Sequence, residues 1–244
     1  MCTVLFISKK DKLFFASLRD ENPKRPQATA PEIYTIDDIN FLSPKDSLAG
    51  GTWIGITGSK KVIILLNGGF ENHHKKNNYL KSRGLIVSDL LISANPVADW
   101  VSMDLSSIEP FTLIVWSGEN LFQLVWDGIK KHKIELDDSV PYLWSSSTLY
   151  NSKIKKVREE FFKDWIATHP SVSKSTVLDF FRSFTENENG FIMHRNENLK
   201  TVSYSFIELN ENNFAVMDYY DFLNHQHSSK TIGITAKNKS LHQA

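Results

Sequence analysis

The sequence predicts an α+β fold, a sandwich with antiparallel sheets inside and helices outside. Three observations carry this: short apolar runs come in pairs joined by polar turns, two pairs of helical segments interrupt them, and no strand-helix-strand alternation points to a parallel sheet. The chain has 244 residues, enough for one layered unit with a sizeable core.

Residues 3–7 and 13–17 are apolar runs joined by Lys9-Lys10-Asp11-Lys12, which predicts a hairpin and puts Cys2 at a strand end. From Arg19 to Ser47 the chain carries Pro23, Pro26, Pro31 and Pro44 among polar residues, so a long surface loop is expected there. A second hairpin follows, 52–57 and 62–66 around Gly58-Ser59-Lys60-Lys61, and its apolar second strand predicts burial on both faces. Apolar residues then recur at helical spacing from Leu80 to Leu105, interrupted by Asn95-Pro96, which gives two helices.

Strands resume at 111–116 and 121–126. Residues 152–168 predict a helix with Val157, Phe161, Phe162 and Trp165 on one face, and 173–184 predict another with Val177, Leu178, Phe180, Phe181 and Phe184. Thr201 to Leu209 alternates and pairs across 210–213 with 214–219. Beyond His227 the composition turns to Ser, Lys, Asn and Gln. The expected organisation is one domain over 1–226 and a frayed tail over 227–244.

Acidic and basic residues balance at 28 each, so no summed field draws the chain to nucleic acid. The single cysteine forbids an internal disulfide and fits a reducing compartment. The short apolar start does not resemble a signal segment, and no run approaches the roughly 18 to 20 apolar residues of a membrane span. A cytoplasmic protein without a membrane span is expected.

Four stretches, Met1-Cys2-Thr3, Leu18-Arg19-Asp20-Glu21, Gly50-Gly51-Thr52-Trp53-Ile54-Gly55 and Leu66-Asn67, followed by Arg83-Gly84, resemble the NRDE family of transport and Golgi organization 2 type. That family is similar to N-terminal-nucleophile (Ntn) hydrolases such as choloylglycine hydrolases and penicillin acylases. The resemblance implies a four-layer αββα sandwich of Ntn-hydrolase type and cleavage of a carbon-nitrogen amide bond in a small-molecule amide or acyl substrate. It makes Cys2 the nucleophile, Arg19 and Asp20 its organisers and Asn67 an oxyanion donor. Two positions depart from the family pattern. Leu18 stands where the family has asparagine, and the Ser-Asn step reads Ser145-Ser146.

The residue chemistry agrees with that assignment. Once Met1 is removed, Cys2 carries a thiol and a free α-amine, and an amine of pKa near 8 can serve as base toward its own side chain. A guanidinium from Arg19 favours the thiolate, Asp20 can hold the amine or the guanidinium, and the Asn67 amide, joined by Ser146, can donate to an oxyanion. The bland alternative makes Cys2 a small hydrophobe, Arg19-Asp20 an ion pair and Asn67 a turn residue.

Other motifs carry less. Glu71-Asn72-His73-His74 reads as a solvated loop rather than a metal site, His132, His225 and His227 receive no role, and Asn67-Gly68-Gly69 lacks a dinucleotide fingerprint. No cofactor and no metal is expected. The competing function is a non-catalytic carrier of an apolar ligand such as haem or a lipid, its cavity lined by aromatics.

Overall fold

In the computed structural model, residues 3–76, 79–185, 189–210 and 213–235 are described. Cys2, on which the nucleophile assignment falls, lies outside them. The chain runs through β1 (Thr3–Lys9), β2 (Lys12–Glu21), β3 (Thr29–Ile36), β4 (Ile39–Lys45), β5 (Ile54–Thr57) and β6 (Val62–Asn67). Helices α1 (Arg83–Ile92) and α2 (Pro96–Ser102) precede β7 (Phe111–Trp116), β8 (Leu121–Trp126), β9 (Lys131–Leu136) and β10 (Tyr142–Ser145). Then come α3 (Ser152–Thr168), α4 (Lys174–Ser183), β11 (His194–Asn196), β12 (Leu199–Asn210), β13 (Phe214–Asp221) and β14 (Gln226–Gly233).

Two antiparallel sheets result. One has the order β10-β1-β2-β12-β13-β14, with β11 added to β12, and the other runs β3 to β9 in sequence order. Strand alternation divides the core. Val4, Phe6 and Phe15 face the second sheet, while Leu5, Ile7, Phe14, Ala16 and Leu18 face Phe162, Phe180 and Phe181 of the α3–α4 layer. Every residue from Val62 to Leu66 in β6 is buried, because one face meets the first sheet and the other meets α1. The layers are therefore αββα, as the family resemblance implies.

The helix ends follow from local chemistry. Ser82 caps α1 through its side chain, Asn95 caps α2 ahead of Pro96, and Asn151 caps α3. Ser173 and Thr176 close a reciprocal capping box on α4.

Four expectations need correction. The 19–47 stretch is not a loop, because β2 runs to Glu21 and β3 and β4 form a hairpin. Pro31 is tolerated because β3 is a sheet edge with a register shift between Thr29 and Glu32, and Pro44 lies beyond the two residues by which β4 pairs with β5. The expected tail from His227 is strand β14 as far as Gly233, fully paired with β13. Val157 is 38% exposed, and Arg158 takes the inward position on α3 with no exposed surface. His132, expected in a lysine-rich turn, lies in β9, and its Nε2 is 2.7 Å from Asp127 Oδ2.

Candidate active site

The site forms where the starts of β1 and the ends of β2 and β6 meet. Thr3 pairs with Leu18, so Arg19 and Asp20 stand just beyond the first described residue of β1. They lie on opposite faces of β2, and each has a different set of partners.

Arg19 points between the sheets and is 6% exposed. Its Nη2 donates to Asp46 Oδ2 at 2.7 Å, its guanidinium lies 4.7 Å from the Trp53 ring centroid, and Glu21 Oε2 is 3.6 Å away. Asp46 also accepts from Arg25 Nε and Nη2, both at 3.0 Å, and from the Leu48 and Ala49 amides. Burial pushes the Asp46 carboxyl up, but the Arg25 hydrogen bond, the Ala49 amide and the charges of Arg19 and Arg25 outweigh it. They hold the group below the usual carboxylate range. The Arg25 guanidinium moves up in turn, chiefly through its hydrogen bond to Asp46.

Asp20 points toward the helix layer and is 4% exposed. Thr201 Oγ1 donates to its Oδ1 at 2.6 Å, and the Met193 amide donates to Thr201 Oγ1 at 2.9 Å. A bulge lies opposite: Thr201 pairs with Asp20 and Ser203 with Arg19, which leaves Val202 as the extra residue. Bulges re-aim neighbouring side chains, and this one turns Thr201 onto Asp20.

Asn67 ends β6. Among the described residues its side-chain amide has no hydrogen-bond partner, while its backbone carbonyl accepts from Ser146 Oγ at 2.8 Å. Thr148 Oγ1 lies 2.8 Å from the same Ser146 oxygen. A hydroxyl has one proton, and Ser146 gives it to Asn67 here, so Ser146 supports the strand end. Gly68 makes the approach possible: its φ of +83° suits glycine, and a Cβ there would overlap Ser147 Oγ.

Gly51 and Gly84 have a similar physical reason, while Gly50 is set apart by its φ of +74°. A Cβ on Gly51 would overlap the backbone of Gly84 and Leu85, and Thr52 N donates to Gly84 O at 3.1 Å. Two glycines thus let the β5 approach touch the start of α1, which brings Ser82 and Arg83 to the same cleft as Arg19.

Three concavities converge on Asn67. A small one of about 110 Å³ holds Arg19, Asp46, Trp53, Asn67 and Arg83. A wide cleft of about 840 Å³ opens from it past Arg25, Ser82 and Arg83. On the other side, about 470 Å³ is lined by Phe70, Tyr142, Trp144, Ser146 and Phe162, with Tyr142 and Trp144 stacked at 5.3 Å. Burial lowers Lys155 and raises Glu159 on that wall. Among the described residues no cluster of His, Cys, Asp and Glu could hold a metal ion, and no helix is long and apolar enough to cross a membrane.

Of the five residues picked from the sequence, Arg19 and Asn67 share the small cleft, Ser146 lies behind Asn67, Asp20 faces the helices and Cys2 is outside the described residues. Asp46 and Trp53, which fix Arg19, were missed. Asp46 had a signal, because an aspartate ahead of a turn ending in Gly50-Gly51 is a side-chain acceptor for the next amides.

Residues 1–238 match the family described as Transport and Golgi organisation 2. The chain belongs to this family. No curated protein sequence matches it. Solved structures share the Ntn-hydrolase fold of this Transport and Golgi organisation 2 member at low identity. The N-acylethanolamine-hydrolyzing acid amidase ortholog of Caenorhabditis elegans aligns with a TM-score of 0.62 and 10% identity over 84% of this chain and 92% of its own. A variant of the conjugated bile acid hydrolase from Clostridium perfringens gives 0.59 and 10% over 98% of this chain and 100% of its own. A cysteine-to-alanine mutant of that hydrolase gives 0.59 and 9% over 97% of each chain.

Proposed function

We propose that this protein is an N-terminal cysteine hydrolase that cleaves a carbon-nitrogen amide bond through a Cys2 thioester, as an amidohydrolase or acyltransferase. The observation that supports it is the cleft shared by Arg19 and Asn67, with the Asn67 side-chain amide hydrogen-bonded to no group among the described residues.

The chemistry runs in two halves. After Met1 is removed, the Cys2 α-amine takes the thiol proton, and the sulfur attacks the substrate carbonyl carbon. The carbonyl oxygen becomes an oxyanion that accepts from the Asn67 side chain, a donor of a kind whose removal costs about 3 to 4 kcal/mol. The carbon-nitrogen bond then breaks, and the departing amine takes the proton held by the α-ammonium. Water or a second amine attacks the thioester carbonyl, and the thiol is regenerated. Arg19 favours the thiolate through its charge, while Asp46 and Trp53 keep the guanidinium in place.

A second reading, a carrier of an apolar ligand such as haem or a lipid, has its own support. Leu18 is fully buried where the family has an amide, the Ser146 proton is spent on the Asn67 carbonyl, and the Tyr142–Trp144 cleft is aromatic.

Intact mass and the pH dependence of alkylation at the only cysteine separate the two. Loss of Met1 and a thiol that reacts well below pH 8 are expected for the hydrolase. A retained Met1 with an inert thiol overturns it in favour of the carrier.

A further inference from the structure

The wide cleft beside the proposed reaction centre has a charge that the chain as a whole lacks. The protein is neutral overall, yet this wall carries Arg25, Lys75, Lys76, Lys81 and Arg83 against only Glu21 and Glu109. Both of those acids already have cations. Glu109 lies 3.2 Å from Arg83 Nη2 and 3.3 Å from His73 Nε2, and Glu21 is within 4 Å of Arg19 and Arg25. Lys81 is paired with Asp89. Lys75 and Lys76 remain, exposed and with no acidic partner among the described residues.

This arrangement is asymmetric about Asn67. On one side lies the cationic cleft, and on the other the concavity lined by Phe70, Tyr142, Trp144 and Phe162, where Lys155 and Lys163 are set against Glu159. A molecule whose carbonyl carbon sits at Asn67 meets aromatic surface with one end and unneutralised ammonium groups with the other. Resting on the amide-cleaving reading above, we infer that the substrate is an N-acyl compound whose amine portion carries an anionic group, a carboxylate or a phosphate, received by Lys75 and Lys76. The acyl chain takes the aromatic side. Positive charge concentrated in a concave wall raises the local concentration of such an anion and sets its orientation.

The test is equilibrium binding to the Cys2→Ala protein, which cannot turn over, so that it is independent of whether the reaction occurs. The probes are N-dodecanoylglutamate, N-dodecanoyl-phosphoethanolamine and the uncharged N-dodecanoylethanolamine. The anionic probes are expected to bind about tenfold more tightly than the neutral one at low salt, with the advantage shrinking as salt is raised. The Lys75→Glu/Lys76→Glu protein is expected to lose that advantage while binding the neutral probe unchanged. Which anionic probe binds more tightly tells carboxylate from phosphate. Equal binding of charged and neutral probes, an undiminished preference in the double variant, or no binding by any probe overturns the inference. Turnover of the same probes by the wild-type protein reports separately on the hydrolase reading. A salt-sensitive anion preference without turnover keeps the cleft assignment and removes the reaction.

Discussion

Two buried arginines, one on each face of the first sheet, lie near the start of β1 and differ in their partners. Arg19 lies between the sheets at the edge of a cleft, in a network of full charges with Asp46, Glu21 and Arg25, and rests on one aromatic ring. Arg158 lies under the helices with no exposed surface. Its Nη1 donates to the Asn189 and Gly190 carbonyls at 2.8 and 3.1 Å, and its Nη2 donates to Thr3 Oγ1 at 2.5 Å. Its guanidinium also lies 4.0 Å from the Tyr150 centroid and 4.4 Å from that of Phe191. The contrast assigns them different work. The described partners of Arg158 are carbonyls, a hydroxyl and rings, and they tie Thr3 to the α3 layer, whereas Arg19 is balanced against carboxylates at the edge of a cleft.

The largest effect expected from this contrast is on stability, at Arg158. Arg158→Ala leaves a cavity among aromatic rings and strips Thr3, Asn189 and Gly190 of their donor, and should cost about 3 to 5 kcal/mol in urea unfolding. Arg158→Lys keeps the charge but not the planar fork, and should lose about half as much. If Arg158→Ala unfolds at the wild-type urea midpoint, the anchor interpretation is wrong.

At Arg19 the corresponding experiment is on its partner. Asp46→Asn leaves two guanidinium groups without their shared carboxylate and should cost about 2 to 3 kcal/mol, less than at Arg158 because the cleft admits water. It should also slow any turnover, since Arg19 is then free to shift. Loss of stability without a change in turnover would separate Arg19 from the chemistry.

Acid titration sharpens the same difference. Asp46 ionises more readily in the folded protein than in the unfolded chain, whose aspartates titrate near about 3.9. Its contribution is therefore present above that pH and disappears as pH falls through the lower folded value. Wild type should lose stability over that acid range more steeply than Asp46→Asn, whereas Arg158→Lys should follow the wild-type slope. Identical acid slopes for wild type and Asp46→Asn would mean the carboxylate is not the titrating group.

The two arginines also differ in how well the sequence displayed them. Arg19 sits in a recognisable motif next to Asp20, whereas Arg158 was passed over for the apolar Val157, because hydrophobic patterning discounts a charged residue at an inward position. The strands divide in a related way. Those inside the sheets, such as β6, β7, β8 and β12, are apolar or alternating and were readable. β3, β4, β9, β10, β11 and β14 were not; β3, β9, β10 and β14 are at sheet edges, while β4 is interior but carries Pro44 and pairs with β5 through two residues only. An edge strand faces solvent along one side, so it tolerates Pro31, the Lys131-His132-Lys133 run and the polar Gln226–Lys230 stretch, and it loses the pattern that identifies a strand. The site was legible where chemistry and motif coincide, at Arg19 and Asn67. Asp46 was hidden because its partners, Arg19 and Arg25, are 27 and 21 residues away and become neighbours only through the β3–β4 hairpin.

The smallest effect concerns the support behind Asn67. Ser146→Ala removes the donor to the Asn67 carbonyl and the partner of Thr148, which should cost about 1 kcal/mol, or about 2 to 4 °C in melting temperature. Because Ser146 has no proton left for an oxyanion, its loss should lower turnover only by loosening Asn67, severalfold, well short of the roughly hundredfold or greater loss expected for Asn67→Ala. Ser146→Asn restores the family's amide and tests the same point from the other side. If the new amide faces the cleft, turnover should rise above wild type, and if Asn67→Ala and Ser146→Ala prove equally damaging, Ser146 contacts the reacting oxygen directly and the assignment of its proton to Asn67 is wrong.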